Sequence, residues 1–213
     1  MIKAGAVTVV GITAKSGLKI IETKNRIPTK IAVTKQMNKT HDMVYIGIFA
    51  VLIAICSWIS IPAAVPFTLQ TMGVFLSVGI LGGKRGTLAV LVYLLLGAVG
   101  IPVFAGFSGG IGVFLQSSGG YLAGFLLSAL LMWGMEKLLG RSTVILGISM
   151  VLGLLVCYAA GTIWFMAVYT ANTGAIGVGT VLAWCVIPFI LPDLVKIAVA
   201  LVLTKRLAGV VRR

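Results

Sequence analysis

The sequence has little charge, and almost all of that charge is positive. Of 213 residues only four are Asp or Glu, against 17 Lys or Arg, and charged residues make up 10% of the chain. Soluble domains carry about 25% charged residues, so this composition excludes an ordinary soluble enzyme. One histidine, His41, and three cysteines, Cys56, Cys157 and Cys185, are too few and too scattered for a metal site or a disulfide framework.

Apolar residues dominate the chain instead. They account for 60% of it, and the mean hydropathy is +1.15. A run of about 20 apolar residues crosses a bilayer as a helix, and breaks rich in glycine, proline or charge separate six apolar segments. The sequence therefore predicts an all-α integral membrane protein with six transmembrane helices, at residues 43–61, 70–81, 86–99, 119–139, 144–170 and 180–207.

Basic residues mark one side of the predicted bundle. They precede the first segment, end the last one, and occupy two of the joins between segments (Lys84, Arg85, Lys137, Arg141). The alternate connections, residues 62–69, 100–118 and 171–179, carry no charge. Excess Lys and Arg mark cytoplasmic ends, so both termini are predicted to be cytoplasmic. The net charge is +13, but the basic residues form no stripe interleaved with aromatic residues. Nucleic acid is therefore not an expected partner.

The chain is predicted to have three parts. Residues 1–42 are basic, Thr-rich and without a long apolar run, so they match a signal peptide poorly, although their acid-poor composition also suits an organelle transit peptide. We interpret them as a disordered extension, or as sequence upstream of a true start at Met37. Residues 43–208 are predicted to form the six-helix membrane domain, and residues 209–213 a basic cytoplasmic tail.

Asp193 and Lys196 are the sharpest functional signal, because they are charged residues inside the last predicted span. Pro192 suits the first turn of a helix, and a spacing of three residues places both side chains on one helix face. Charges inside a membrane are costly and usually face a cavity. Two interpretations stay open. Either the pair is a salt bridge that locks the bundle, or Lys196 meets a ligand carboxylate while Asp193 accepts N–H donors.

The uncharged connections are rich in Gly, Pro and Phe, which predicts loops folded over an outward-facing pocket. Aromatic residues there line such a pocket or form an interfacial belt. The start of the fourth segment would let a ligand approach a helix N-terminus, unless its serines only cap that helix. The pocket candidates are Thr68, Gln70, Gln116, Tyr121, Phe67, Phe104, Gly119 and Gly120.

Two further patterns have alternative interpretations. Gly47, Ala50 and Ala54 form a small-residue stripe, which is either an internal packing seam or a docking face for another membrane protein. Gly106 to Gly110 match G-x-S-x-G with Ser108 as nucleophile, which suggests an intramembrane serine hydrolase with Lys196 as base. A purely structural membrane scaffold is a further possibility.

Five ordered motifs resemble one known family. They begin at Pro66 (Pro-Phe-Thr-Leu-Gln-Thr), Leu81 (Leu-Gly-Gly-Lys-Arg-Gly), Tyr93 (Tyr-Leu-Leu-Leu-Gly-Ala-Val-Gly-Ile-Pro), Ser118 (Ser-Gly-Gly-Tyr-Leu-Ala-Gly-Phe) and Pro192 (Pro-Asp-Leu-Val-Lys). This order resembles the BioY family, the biotin-binding S components of energy-coupling-factor transporters, over about residues 43–208. Gln116-Ser-Ser departs from the more usual Gly-Pro-Thr.

The resemblance implies a six-helix, non-enzymatic, multi-pass subunit of a bacterial cell membrane with an outward biotin pocket closed by the loop between helices one and two. It implies no cofactor in this chain, a seam at Ala50 and Ala54 for a transmembrane coupling subunit, and two partner ATPases that use ATP. Asp193 would accept from the ureido end of biotin and Lys196 would neutralise its carboxylate, or these roles are swapped or shared. The alternative ligand is another vitamin, such as thiamine or riboflavin.

Overall fold

The chain is almost entirely helical over the residues described by the structure, a computed structural model. Backbone is described for residues 30–62 and 65–211, and side chains for residues 40–62 and 65–208. A hairpin of two strands, each two residues long, joins the first two helices. A 3₁₀ turn spans Ala105–Phe107. The helices are α1 Lys30–Trp58, α2 Gln70–Leu81, α3 Gly83–Ala98, α4 Gly112–Leu115, α5 Gly119–Leu139, α6 Thr143–Thr173, α7 Val178–Cys185 and α8 Ile187–Val211.

Glycine and serine residues set several helix ends. Gly82, after α2, has φ +97°, and Gly140, after α5, has φ +79°. L side chains rarely adopt this left-handed region, so glycine ends a helix there at little cost. Ser142 accepts the backbone N–H of Ile145 at 3.1 Å and caps the start of α6. The predicted bounds of segments two and four agree with α2 and α5.

Helix α1 begins earlier than expected. Residues 30–42 are helical, which corrects part of the prediction of a disordered extension. Residues 30–42 contain several good helix formers and neither Gly nor Pro. The helix of the first apolar segment therefore continues back to Lys30. Residues 1–29 lie outside the described residues. At the other end α8 continues to Val211, so the predicted tail is partly helical.

The last predicted segment is two helices. Val186 has φ −127° and ψ −56°, and it separates α7 from α8. Pro188, not Pro192, lies in the first turn of α8, which corrects the expected helix start. Pro192 lies inside α8, where it has no N–H to donate to the carbonyl of the preceding turn.

Helices α5 and α6 pack closely because glycines remove side chains between them. A Cβ on Gly120 would lie 2.2 Å from Trp164 Cβ, and one on Gly124 would lie 3.0 Å from Cys157 Cα. Helix α2 is buried along most of its length and contacts α1, α3 and α8. The nearly buried helix α2 therefore holds one side of the molecule together, and the glycine-lined pair of α5 and α6 holds the other.

The outside of the bundle is apolar, as in proteins that face lipid. Val44, Ile48, Val51 and Ile55 form an exposed stripe on α1. Four helical stretches of the described chain are long and apolar enough to cross a membrane: Thr40–Trp58, Gly119–Leu139, Thr143–Thr173 and Val178–Ala208. Helix α2 is apolar but shorter.

The connection between α1 and α2 folds back over the bundle. Ser60–Ile61 (β1) pairs antiparallel with Phe67–Thr68 (β2). The indole N–H of Trp58 donates to the carbonyl of Pro102 at 2.9 Å, which links the end of α1 to the loop after α3. Phe67 and Thr68 lie against α8, where they contact Phe189 and Lys196.

Candidate functional site

A pocket opens beneath the hairpin, between α2, α5, α6 and α8. Its empty volume, including the open mouth, is about 820 Å³. Apolar and aromatic walls surround a few polar groups, which is the usual character of a small-molecule site. The predicted site residues that line it are Thr68, Gln70, Phe104, Gln116, Tyr121, Asp193 and Lys196.

The charged pair lies in the wall of this pocket. Lys196 Nζ is 2.7 Å from Asp193 Oδ1, and the two residues are 5% and 3% exposed. The second carboxylate oxygen, Oδ2, accepts the hydroxyl of Tyr158 at 2.6 Å. The predicted shared face of Asp193 and Lys196 is confirmed by this geometry, and Tyr158 on α6 is a partner that the sequence did not single out.

Lys196 also holds the hairpin. Its ammonium donates to the backbone carbonyl of Thr68 at 2.6 Å and lies 4.1 Å from the ring centroid of Phe67. Phe67 in turn stacks on Phe189 at 5.8 Å between centroids. Phe67 is therefore next to the charged pair, although it is not among the residues that line the pocket.

Gln70 occupies the start of α2 and is 4% exposed. Its side-chain N–H donates to the hydroxyl of Tyr93 at 2.8 Å, and its carbonyl oxygen accepts the hydroxyl of Ser57 at 3.4 Å. Two neighbouring helices thus fix the orientation of this amide. A buried amide with partners on both ends is a rigid part of the pocket wall.

The opposite wall comes from the start of α5. The Tyr121 hydroxyl donates to the carbonyl of Cys185 at 3.2 Å, one of the orphan carbonyls at the end of α7. The indole N–H of Trp164 donates to the backbone carbonyl of Gln116 at 3.0 Å. The side chain of Gln116 takes no part in this hydrogen bond. Phe104 packs edge-on against Tyr93 at 5.5 Å between ring centroids.

Gly119 and Gly120 are not brought to the pocket wall. A Cβ on Gly119 would lie 1.9 Å from the carbonyl oxygen of Phe114, and one on Gly120 would meet Trp164. Both glycines therefore permit close packing at the start of α5, and their contact with a ligand stays a prediction.

The structure shows internal packing for part of the small-residue stripe on α1, and docking of a partner there stays a prediction. Ala50 and Ala54 are 1% and 3% exposed and belong to the core of the bundle, so they present no free face. Gly47 differs, because a Cβ added there would meet nothing within 4 Å. Internal packing, one of the two interpretations of this stripe, accounts for the two alanines.

Sequence reasoning missed several pocket residues besides Tyr158. They are apolar or weakly polar and include Phe125, Leu154, Cys157, Cys185 and Phe189. In an apolar helix such residues look the same whether they face lipid, core or ligand. Tyr158 carried one available signal, since a phenol in the middle of a membrane helix needs a hydrogen-bond partner.

Ser108 lines the pocket, but its surroundings do not fit a catalytic nucleophile. Its hydroxyl donates to the carbonyl of Ala105 at 2.8 Å. It follows a 3₁₀ turn, whereas a G-x-S-x-G nucleophile needs a strand-to-helix elbow and an adjacent base. Within the described side chains, His41 does not line the pocket.

The fold and the pocket define a helical membrane protein with a mostly apolar pocket and a buried carboxylate–ammonium pair in its wall. The sequence model of the BioY family matches residues 28–213. The chain therefore belongs to the BioY family.

Individual relatives agree with this assignment. The biotin transporter BioY of Thermotoga maritima is 44% identical over 169 residues, which cover 78% of this chain and 95% of the relative. The probable biotin transporter BioY of Pyrococcus horikoshii is 38% identical, with 80% and 98% covered. Among solved structures, the S-component for biotin from an ECF-type ABC transporter superposes with a TM-score of 0.72 and 29% identity, covering 81% of this chain and 93% of that one.

Proposed function

We propose that this chain binds biotin as the S component of an energy-coupling-factor importer. The observation that carries the proposal is the Asp193–Lys196 pair, buried in the wall of a pocket in a chain whose relatives are named biotin transporters. Biotin has an apolar fused body, a ureido group with two N–H donors and a carboxylate. The pocket offers apolar walls and one buried group of each sign.

Both charged groups keep hydrogen-bonding capacity for such a ligand. A carboxylate has about four acceptor sites, and Asp193 uses one on each oxygen, toward Lys196 and Tyr158. An ammonium has three donors, and Lys196 uses two, toward Asp193 and Thr68. We assign the ureido N–H groups to Asp193 and the ligand carboxylate to Lys196. The side chain of Gln116, which also lines the pocket, would share one of these contacts.

The same proposal includes a topology and partners. Six spans with both termini cytoplasmic follow from the alternation of basic and uncharged connections. The chain would reside in the cell membrane as a non-enzymatic, multi-pass subunit without a cofactor of its own. A transmembrane coupling subunit and two ATPase subunits would supply the ATP-driven step.

Equilibrium binding to detergent-purified protein tests the ligand. Biotin is expected to bind, and thiamine or riboflavin at the same concentrations is not. Lys196→Gln should weaken biotin binding at least tenfold, which corresponds to about 1.4 kcal/mol, the scale of a charge-assisted hydrogen bond. Lys205→Gln is the matched control, because Lys205 is an exposed lysine on the same helix.

Biotin methyl ester separates the two assignments. If Lys196 meets the carboxylate, Lys196→Gln weakens biotin much more than the ester, whereas Asp193→Asn weakens both. Equal losses for the two ligands in Lys196→Gln would show that the ammonium does not contact the carboxylate. Unchanged biotin affinity in both variants would remove the pair from the site altogether.

A further inference from the structure

The end of the bundle that carries the basic residues has its own built network. The Glu136 carboxylate accepts the backbone N–H of Gly83 at 2.6 Å, at the first residue of α3. Arg141 donates to Glu136 at 3.1 Å and, through its other terminal nitrogen, to the carbonyl of Gly79. Partial burial lowers the pKa of the Arg141 guanidinium from its usual value, and the Glu136 carboxylate opposes that shift. These bonds rigidly join α2, α3 and α5.

An open groove lies beside this network and is separate from the vitamin pocket. Its empty volume, including the mouth, is about 1090 Å³. One side is apolar and consists of Ile46, Leu81, Leu88 and Trp133. The other side is charged, with Asp42, Lys84, Arg85, Glu136, Lys137 and Arg141. An occupant must therefore combine a polar, charged end with an apolar body.

The charges of the groove favour an anion. Four basic and two acidic residues give a net charge of +2. Arg85 pairs with Asp42 at 3.0 Å and Arg141 pairs with Glu136, which uses both carboxylates. Among the described side chains, Lys84 and Lys137 form no ion pair with a carboxylate. Lys84 is exposed, and Lys137 Nζ lies 4.5 Å from the ring centroid of Trp133.

The position of the groove selects the kind of anion. Asp42 and Ile46 lie in the first candidate span, Thr40–Trp58, and Trp133 and Lys137 lie near the end of the second, Gly119–Leu139. The groove thus lies at the boundary between hydrocarbon and water, where Trp and basic residues meet lipid headgroups. Leu88 is 39% exposed and continues the apolar side outward.

We propose that this groove binds an anionic phospholipid, with its phosphate between Lys84 and Lys137 and an acyl chain along Ile46 and Leu88. The phosphate would pair with Lys84 and Lys137, the two lysines of the groove that its carboxylates leave unpaired. The site is independent of biotin, because none of its residues lines the vitamin pocket.

Native mass spectrometry of the detergent-purified chain tests the proposal. The protein is titrated with phosphatidylglycerol and with phosphatidylcholine of the same acyl chains. Phosphatidylglycerol is expected to bind at least tenfold more tightly, and Lys84→Gln/Lys137→Gln is expected to remove that preference. The matched control, Lys205→Gln/Arg206→Gln, neutralises two exposed basic residues of α8 outside the groove and should keep it.

Three results would overturn the proposal. Equal affinity for the two lipids would mean that the net negative charge of the headgroup is not recognised. Equal loss in the control double variant would mean that total charge, not the groove, attracts the lipid. Competition by glycerol 3-phosphate at the lipid's own concentration would identify a site for a soluble phosphate. Melting temperatures of all variants verify folding, and Lys84→Gln alone, at an exposed position, repeats the test if the double variant fails to fold.

Discussion

At the residue scale, the buried ion pair already has its charges compensated by the protein. Asp193 receives hydrogen bonds from Lys196 and Tyr158, and Lys196 binds the Thr68 carbonyl. A buried pair of this kind is costly to break, because removing one partner leaves an uncompensated charge. Stability and ligand affinity must therefore be measured separately for every variant at this position.

Lys196→Met should destabilise the ligand-free protein strongly, because Asp193 then stays buried without its counter-charge. Breaking a buried pair costs about 3–5 kcal/mol. The double variant Asp193→Asn/Lys196→Met should regain most of that loss. Thermal unfolding of the detergent-purified chain without biotin measures both. A double variant as unstable as Lys196→Met would show that hairpin contacts, not charge, dominate at this site.

Tyr158→Phe should weaken biotin binding by about three- to twentyfold, because hydrogen bonds between membrane helices contribute about 0.6–1.7 kcal/mol. The phenol orients the Asp193 carboxylate, so this is a positioning role. Tyr169→Phe, on the same helix but outside the pocket lining, is the control. The ratio of affinities for biotin and its methyl ester should stay unchanged in Tyr158→Phe, since Tyr158 does not contact Lys196 in the described hydrogen bonds. Equal losses in both tyrosine variants would contradict the assignment.

At the element scale, the contact between α5 and α6 depends on absent side chains. Along this interface Gly120 faces Trp164, Gly124 faces Cys157 and Tyr121 packs over Gly161. Small residues let membrane helices approach closely, which strengthens van der Waals packing where no hydrophobic driving force acts between helices. The two helices that carry Tyr121 and Tyr158 are thereby held at a fixed spacing.

Gly120→Ala should lower the melting temperature, because the new Cβ would lie 2.2 Å from Trp164 Cβ and 2.8 Å from the Ala160 carbonyl oxygen. Gly134→Ala, on the same helix, is the control. Nothing lies within 4 Å of a Cβ there, so the gain in helix propensity, up to about 1 kcal/mol, should leave stability equal or higher. Equal melting temperatures for the two variants would show that α5 and α6 separate easily.

Helix α1 offers a second matched pair. Ala54→Leu should destabilise the isolated chain by about 1–3 kcal/mol, the usual cost of overpacking a core, because Ala54 is 3% exposed. Gly47→Leu should leave the isolated chain folded, since its Cβ points into open space. Thermal unfolding checks both expectations. Only Gly47→Leu then reports cleanly on assembly with a coupling subunit, measured by co-purification.

At the scale of the whole molecule, the proposed topology places Asn172 and Lys84 on opposite sides of the membrane. Both residues are exposed, whereas the three native cysteines are buried. In a background without native cysteines, Asn172→Cys should react with an impermeant maleimide in intact cells. Lys84→Cys should react only after permeabilisation. Labelling of Lys84→Cys in intact cells would contradict cytoplasmic placement of the basic end.

The sequence predicted the helices better than the contacts between them. Gly82 and Gly140 end α2 and α5 where glycine and charge interrupt the apolar runs, so local chemistry was sufficient there. Pro192 indicated a new helix start within the last segment, but the break lies earlier, at Val186, because Pro188 and not Pro192 occupies the first turn of α8. Asp193 and Lys196 were found because charge is rare in a membrane. Tyr158 was missed, since its role depends on which way α6 faces.

The bond from the Lys196 ammonium to the Thr68 carbonyl joins residues 128 positions apart in the chain. Thr68 is synthesised early and Lys196 late. The hairpin is therefore fixed by this bond only after α8 has been synthesised. A chain released before α8 has entered the bilayer lacks the lysine that holds its first loop. With the site proposed above, the molecule acquires its capacity to bind the vitamin only with its last inserted segment.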